Sequence, residues 1–255
     1  MSKAEKLSKE NQKIGAMIMV RVPIGGSQSK TRIGKAINNQ SLANLLALKL
    51  ARTTVESLAS LNIDVYIYHQ ILKENVEIEK IQSFFGSKIV CSYSDVNGLD
   101  KLCNRSAALE ILLKLGYDKA IVLPSDCPYL TPQYLEKFVS KIGDYDAVLC
   151  KSSDDGINAY GISKGVNPWC IAVSLDSHTP LSDNLIQDVS NYLEKQELNY
   201  KIVTPTLSDI DTLHDLQEFW RFLRVSTLLK EEHTKGIYQE IYIFLEENRD
   251  VLMLD

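Results

Sequence analysis

Short apolar runs alternate with longer amphipathic segments along most of the chain. An apolar, β-branched run that ends at a turn is typical of a buried strand, whereas apolar residues three and four positions apart predict a helix. The pattern predicts strands at residues 14–22, 63–68, 88–91, 119–123, 147–150 and 201–203, an extended segment within 154–161, and helices at 41–61, 101–115, 131–142, 182–195, 211–223 and 226–254. This alternation indicates an α/β fold with a mainly parallel sheet covered by helices, in which ligands bind at the carboxyl ends of strands.

The sequence predicts one compact unit, because it contains no internal repeat, no low-complexity tract and no linker rich in Pro, Gly or Ser. We divide it into a polar N-terminal tail (1–13), an α/β domain (14–225) and a helical C-terminal extension (226–255). Aromatic residues recur along the extension at partly helical spacing, so we expect them to pack along one helical face. One hypothesis is that this face contacts a second copy of the chain in a homo-oligomer.

Composition excludes several classes of function. With 28 Lys and Arg against 33 Asp and Glu, the net charge is −5, so there is no broad basic surface for a nucleic-acid backbone. The five cysteines include no C-x-x-C pair, which argues against a zinc ribbon or a thioredoxin-type site and favours reduced thiols. The N-terminus is too polar for a signal peptide, and no apolar run approaches the roughly 20 residues of a membrane helix. We therefore expect a cytoplasmic protein with no membrane partner.

The loop after the first predicted strand has the composition of a phosphate-binding loop. Gly25 and Gly26 allow the backbone to turn tightly and to approach a ligand with its N–H groups. Lys30 and Arg32 add two cations, of which the arginine can bind an anion bidentately. The spacing differs from that of a P-loop. The alternative is a solvated loop with ordinary surface cations.

A second loop places one carboxylate directly after an apolar strand. Asp126 follows Ser125 and lies between Pro124 and Pro128, which restrict the backbone on both sides. A carboxylate at this edge can hold Mg²⁺, and the metal can then bridge substrate phosphates. An Asx-type turn is an equally good interpretation. Cys127 is expected to pack in the interior, because no nearby histidine offers itself as a base.

Two further polar segments follow strands. Asp155 and Gly156 form a strong turn signal, and Asn158 could bind a sugar or a second substrate, although a plain hairpin turn explains the segment equally well. Asp209 and Asp211 lie on the same side if the chain is extended there. Asp211 or the next residue could instead cap the following helix. One of the two aspartates could supply a second carboxylate to a metal site with Asp126.

Four of these segments together resemble the nucleotide-diphospho-sugar transferase (GT-A) superfamily, over about residues 14–216. Residues 29–33 (SKTRI) are similar to a K-T-R-L motif after the first strand, and 122–130 (VLPSDCPYL) to the G-S-D-C-P-x-L of a bacterial glycosyltransferase A-like family. Residues 156–160 (GINAY) look like the G-T-N-A-L of the phospholactate and molybdenum-cofactor guanylyltransferases. Residues 209–216 (DIDTLHDL) are similar to the D-[IV]-D-T-P-E-D-L motif of both groups, with Leu-His in place of Pro-Glu.

The resemblance implies a three-layer α/β sandwich with a mainly parallel mixed sheet, and a metal-dependent transferase. It implies Lys30, Arg32 and Asp126 as catalytic residues, and Asp126 and Asp211 as ligands of Mg²⁺ or Mn²⁺. Nucleotide binding would involve Pro23, Gly25, Gly26, Lys30, Arg32 and Ser125, and the acceptor would contact Asp155, Gly156 and Asn158.

Three functions agree with these motifs. The first is nucleotidyl transfer from a nucleoside triphosphate to a small phosphorylated or hydroxyl acceptor, with release of pyrophosphate. The second is glycosyl transfer from a nucleotide-sugar, which releases a nucleoside diphosphate. The third is a nucleotide-binding or assembly protein without catalysis.

Overall fold

Seven strands and seven α-helices make up the part of the chain that the computed structural model describes, which is residues 12–20, 28–70, 85, 88–92, 101–170 and 184–254. The strands are β1 (Ile14–Val20), β2 (Asp64–Gln70), β3 (Lys88–Ser92), β4 (Lys119–Pro124), β5 (Ala147–Ser152), β6 (Ile157–Ser163) and β7 (Tyr200–Leu207). The helices are α1 (Thr31–Ala36), α2 (Gln40–Ala59), α3 (Lys101–Lys114), α4 (Pro132–Lys141), α5 (Leu185–Lys195), α6 (Leu213–Val225) and α7 (Glu232–Glu247), with a 3₁₀ turn at Pro168–Cys170.

The strands form one mixed sheet in the order β3-β2-β1-β4-β6-β5-β7. Strand β6 is antiparallel to β4 and β5, and the remaining pairs are parallel. Met19 of β1 is in register with Pro124 of β4, so both strands end side by side and the loops that follow them leave the same edge of the sheet. The mainly parallel mixed sheet predicted from the sequence is therefore confirmed.

Helices cover both faces of the sheet, because side chains of successive strand residues point to opposite faces. Ala16 and Ile18 of β1 belong to an apolar cluster with residues of α2 and α4. Met17, between them, belongs to a cluster with residues of α3 and α5 on the other face. The structure thus has the three layers of the predicted α/β sandwich.

A third apolar cluster joins helices from early and late in the chain. It combines Ile33 of α1, Leu46 and Leu50 of α2, Trp220 of α6 and Ile241 of α7, all at most 1% exposed. The predicted C-terminal extension therefore shares its core with helices from the beginning of the α/β domain. Its helix is shorter than the predicted 226–254, since α7 covers Glu232–Glu247 and turns follow it.

Local signals in the sequence explain several helix boundaries. Thr131 caps α4 by accepting a hydrogen bond from the Tyr134 amide, and Pro132 occupies the first turn, both as predicted. Helix α1 was not predicted. It has only six residues, which is too short for a helical repeat of apolar positions to be visible. None of the described helices is long and apolar enough to span a membrane.

Candidate active site

Lys30 joins the loop after β1 to helix α1 and has an unusual backbone. Its φ of 52° and ψ of 43° are left-handed, a conformation that costs energy for a residue with a side chain. The preceding Ser29 is held from both sides by the first turns of α2. Its amide donates to Asn44 Oδ1 at 2.9 Å, and its carbonyl accepts from Gln40 Nε2 at 2.7 Å. These contacts fix the backbone from which the Lys30 side chain extends, and strained residues held in this way are common at functional sites.

The Lys30 ammonium lies between two carboxylates. Its Nζ is 2.6 Å from Asp126 Oδ2 and 3.1 Å from Asp211 Oδ1, and the Lys30 side chain is only 8% exposed. Burial lowers the pKa of this ammonium, but the charges and hydrogen bonds of the two aspartates outweigh burial and hold the pKa above its usual value. Lys30 is therefore charged at neutral pH. Arg32 lies at the exposed side, with Nη1 3.7 Å from Asp211 Oδ2.

The two aspartates come from segments 85 residues apart that are tied together by the backbone. The Ile210 amide donates to the Asp126 carbonyl at 2.9 Å, which brings the chain after β7 to the end of β4. Asp211 does not cap α6. Thr212 and Asp215 do so in a reciprocal capping box, in which the Thr212 amide donates to Asp215 Oδ2 at 2.7 Å. The Asp211 carboxylate is thus left to bind the two cations.

Asp209 adds a third carboxyl group, which sequence reasoning considered only as an alternative to Asp211. Its Oδ1 is buried and has no hydrogen-bond partner among the described residues. Burial first, and then the negative charge of Asp126, raise the pKa of this carboxyl to about 7. In the sequence, the spacing of two residues between Asp209 and Asp211 was the feature that indicated that Asp209 lies close to the site.

A cleft of about 280 Å³ opens over these charges. Its described lining includes Ser29, Lys30, Arg32, Ser125, Asp126 and Asp211, together with Ala47 of α2. Five of these residues, Lys30, Arg32, Ser125, Asp126 and Asp211, were predicted from two loops and from the chain after β7, and they are gathered around one concave surface at the carboxyl edge of the sheet, where ligands bind in such folds. A charged, polar cleft of this kind suits a phosphorylated ligand better than an apolar one.

The remaining predicted residues lie elsewhere. Pro23, Gly25 and Gly26 are outside the described residues. Asp155 pairs with Lys151 at 2.5 Å in the turn between β5 and β6, and it does not belong to the described lining of the cleft, nor does Gly156.

Asn158 and Cys127 are interior residues. Asn158 is 2% exposed and donates from Nδ2 to the Leu207 carbonyl at 3.0 Å, so it ties the start of β6 to the end of β7. Its contact with a substrate stays a prediction. Cys127 is fully buried, as predicted, and burial raises the pKa of its thiol well above the usual value, which makes it a poor nucleophile.

The acidic residues of the cleft offer carboxylate oxygens, which are suitable ligands for a divalent cation. Asp126 and Asp211 converge on the Lys30 ammonium, and Asp209 adds a buried oxygen that accepts no hydrogen bond from the part of the chain that the structure describes. Mg²⁺ prefers oxygen ligands and is commonly bound through one or two carboxylates together with substrate phosphates. No cluster of three or more His, Cys, Asp or Glu arranged to hold a metal occurs in the described ranges, so a metal here would need ligand atoms from the substrate or water.

Gly34 leaves room for the Gln40 side chain that bonds Ser29, and this leads to a first prediction. A Cβ on Gly34 would lie 2.4 Å from Gln40 Oε1 and 3.2 Å from Gln40 Cα, so alanine must displace the amide that bonds Ser29. We expect Gly34→Ala to lower the free energy of unfolding by about 1–3 kcal/mol. Gly236→Ala in α7 is the matched control, because nothing lies within 4 Å of its Cβ, and it should be neutral or slightly stabilising. Equal urea midpoints for the two variants would contradict this account.

Solved structures share this fold, although no protein-family model and no curated protein matches the chain. The chain is similar to a candidate nucleotide-diphospho-sugar transferase from Desulfovibrio desulfuricans G20, with 21% identity, a TM-score of 0.76 and coverage of 93% of this chain and 96% of that chain. It is also similar to 4-diphosphocytidyl-2C-methyl-D-erythritol synthase from Anaerococcus prevotii (14% identity, TM-score 0.54, 84% and 99% covered). A cytidylyltransferase from Leptospira borgpetersenii matches with 14% identity, a TM-score of 0.50 and 95% and 97% covered. The chain therefore has the nucleotide-diphospho-sugar transferase (GT-A) fold that its motifs predict.

Proposed function

We propose that the protein is a metal-dependent nucleotidyltransferase, which transfers a nucleotidyl group from a nucleoside triphosphate to a small phosphorylated or hydroxyl acceptor. The observation that carries this proposal is the Lys30 ammonium held between Asp126 and Asp211 at the carboxyl edge of the sheet. Solved structures with this fold include a cytidylyltransferase, which agrees with the proposal. The cleft thus combines cations for phosphate oxygens with carboxylates for a divalent metal.

The chemistry needs positioning and charge stabilisation, and no protein nucleophile. An oxygen of the acceptor attacks the α-phosphorus, the new O–P bond forms as the bond to the bridging oxygen of the β-phosphate breaks, and pyrophosphate leaves. A hydroxyl acceptor releases its proton to solvent. Lys30 and Arg32 neutralise phosphate oxygens and orient the triphosphate. Asp126 and Asp211 would hold Mg²⁺ or Mn²⁺, which when bound stabilises negative charge on the phosphates.

A second candidate is glycosyl transfer from a nucleotide-sugar. The similarity with the highest TM-score among the structures given above is to a candidate nucleotide-diphospho-sugar transferase, and residues 122–130 carry the matching motif. The same cations and carboxylates would then bind the diphosphate of the donor. The product distinguishes the two reactions, because nucleotidyl transfer releases pyrophosphate and glycosyl transfer releases a nucleoside diphosphate.

A nucleotide screen tests both candidates. We expect a nucleoside triphosphate with Mg²⁺ or Mn²⁺ to raise the melting temperature, because a ligand that binds only the native state stabilises it. Nucleotide-sugars are screened in parallel, and ³¹P NMR then identifies the product formed with pooled phosphorylated acceptors. No stabilisation by any nucleotide would overturn both enzymatic proposals and favour an assembly protein.

The aspartates give the next prediction. We expect Asp126→Asn and Asp211→Asn each to weaken binding of Mn²⁺ by about tenfold or more, because each removes one anionic oxygen ligand. Titration of Mn²⁺ followed by electron paramagnetic resonance measures this directly. Asp250→Asn, at an exposed position after α7, is the control and should leave Mn²⁺ binding unchanged. Equal Mn²⁺ affinities in the wild type and the three variants would show that neither aspartate is a metal ligand.

A further inference from the structure

The segment that carries Asp126 is in contact with the C-terminal helix. Tyr238 of α7 is fully buried, and its hydroxyl donates to the Pro128 carbonyl at 3.0 Å. Pro128 lies two residues after Asp126 in the same turn. The hydroxyl supplies a donor to the carbonyl of a buried residue, and leaving a buried carbonyl without a donor costs about 1–3 kcal/mol. The hydrogen bond is therefore a strong constraint on the path of the turn.

Helix α7 is itself firmly placed on α2. Glu240 accepts from Lys49 Nζ and lies 3.2 Å from Arg52 Nη1, so two cations of α2 hold one carboxylate of α7. Thr234 is buried at the first turn of α7 and donates to the Leu228 carbonyl at 2.8 Å. Since α2 also holds Ser29 beside Lys30, one helix is the common support for both the cationic loop and the helix that carries Tyr238.

The turn after β4 is held from two other directions. The side chain of Tyr129 packs edge-on against Phe219 of α6, with ring centroids 5.5 Å apart. In addition, the Asp126 carbonyl accepts from the Ile210 amide. The bond from Tyr238 adds a third, polar constraint at Pro128. Loss of this one constraint should leave the turn in place but widen the range of positions that the Asp126 carboxylate samples.

We propose that Tyr238 is a positioning residue for the candidate active site: its hydroxyl, through the Pro128 carbonyl, fixes the turn that presents Asp126 to Lys30 and to the incoming ligand. The part of this inference that concerns catalysis rests on the proposed function. It makes the C-terminal helix a part of the site, although α7 contributes no residue to the described lining of the cleft.

The experiment compares two buried tyrosines. Tyr238→Phe removes the hydroxyl that bonds Pro128. Tyr134→Phe is the matched control, because Tyr134 is also buried and its hydroxyl bonds Cys150 Sγ at 3.0 Å and the Val203 and Pro205 carbonyls at 3.2 Å, and not the turn that carries Asp126. Amide hydrogen exchange of Ile210 and Mn²⁺ affinity by electron paramagnetic resonance are measured in the full chain. We expect Tyr238→Phe to speed exchange of the Ile210 amide by about tenfold and to weaken Mn²⁺ binding by about threefold or more, and Tyr134→Phe to change neither.

The outcomes separate this inference from the proposed function. Unchanged Ile210 exchange in Tyr238→Phe, or equal acceleration in both variants, overturns the positioning role. Failure of the wild-type chain to bind Mn²⁺ overturns the metal dependence and leaves the exchange rate as the test of positioning. Should Tyr238→Phe not fold, Glu240→Gln loosens the same helix at a partly exposed ion pair. Unchanged Ile210 exchange there also overturns the role.

Discussion

Replacement of Lys30 by methionine is expected to reduce turnover by at least about 10²–10³-fold, because a preorganised charge at the reacting phosphates is lost. Lys30→Ala is expected to have the same effect. The fold should survive, since Asp126 and Asp211 are 28% and 55% exposed and water can solvate them once the ammonium is gone. Pyrophosphate release with a nucleoside triphosphate and Mg²⁺ measures the effect, and the melting temperature reports on folding.

Lys35 supplies the control for this experiment. It is an exposed lysine in α1, the short helix that begins directly after Lys30, so Lys35→Met removes an equal charge without touching either aspartate. Turnover of this variant should stay near that of the wild type. If Lys30→Met turns over as fast as Lys35→Met, the cleft described above is not the site of the reaction.

Removal of the chain from Glu232 onward is expected to abolish cooperative folding. Seven buried hydrophobic side chains would be lost, and each contributes about 1.5–3 kcal/mol when fully buried. The loss is comparable to the about 5–15 kcal/mol by which a whole domain is stable. Leu46 and Leu50 of α2 would in addition become exposed to water. The near-ultraviolet circular dichroism and the thermal transition of the truncated chain measure this.

A point substitution in the same helix is the control for the truncation. Ile243 of α7 is 45% exposed, so Ile243→Ser should change the melting temperature by only a few degrees. A truncated chain with a sharp transition near the wild-type temperature would show that the C-terminal segment is a dispensable addition to the α/β domain.

The sequence predicted the fold well because apolar runs such as residues 119–123 end at a residue that stops the strand. Proximity of Lys30 to Asp126 followed from the rule that parallel strands end at one edge. The position of Asp211 did not follow from that rule alone. Strand β7 is three places away from β4 in the sheet. The chain after β7 runs back to the end of β4, where the Ile210 amide bonds the Asp126 carbonyl, and no local pattern in the sequence encodes this contact.

Two features of the structure could not be predicted from the sequence. The left-handed backbone of Lys30 follows Ser29, whose amide and carbonyl are held by Asn44 and Gln40, whereas local preference would have placed glycine at position 30. Burial of Asn158 conflicts with the usual exposure of asparagine and is allowed by its bond to the Leu207 carbonyl. In both cases a hydrogen bond between distant segments overrides a tendency that single residues show.

The shared core of α2 and α7 bears on how the protein is made. Part of the apolar surface that covers Leu46 and Leu50 belongs to α7 and is synthesised almost 200 residues later, so a growing polypeptide leaves these side chains partly uncovered until α7 emerges. Contacts between residues so far apart in the sequence slow folding, and they prolong the time during which aggregation-prone intermediates expose apolar surface. During this interval the nascent protein would be a substrate for chaperones.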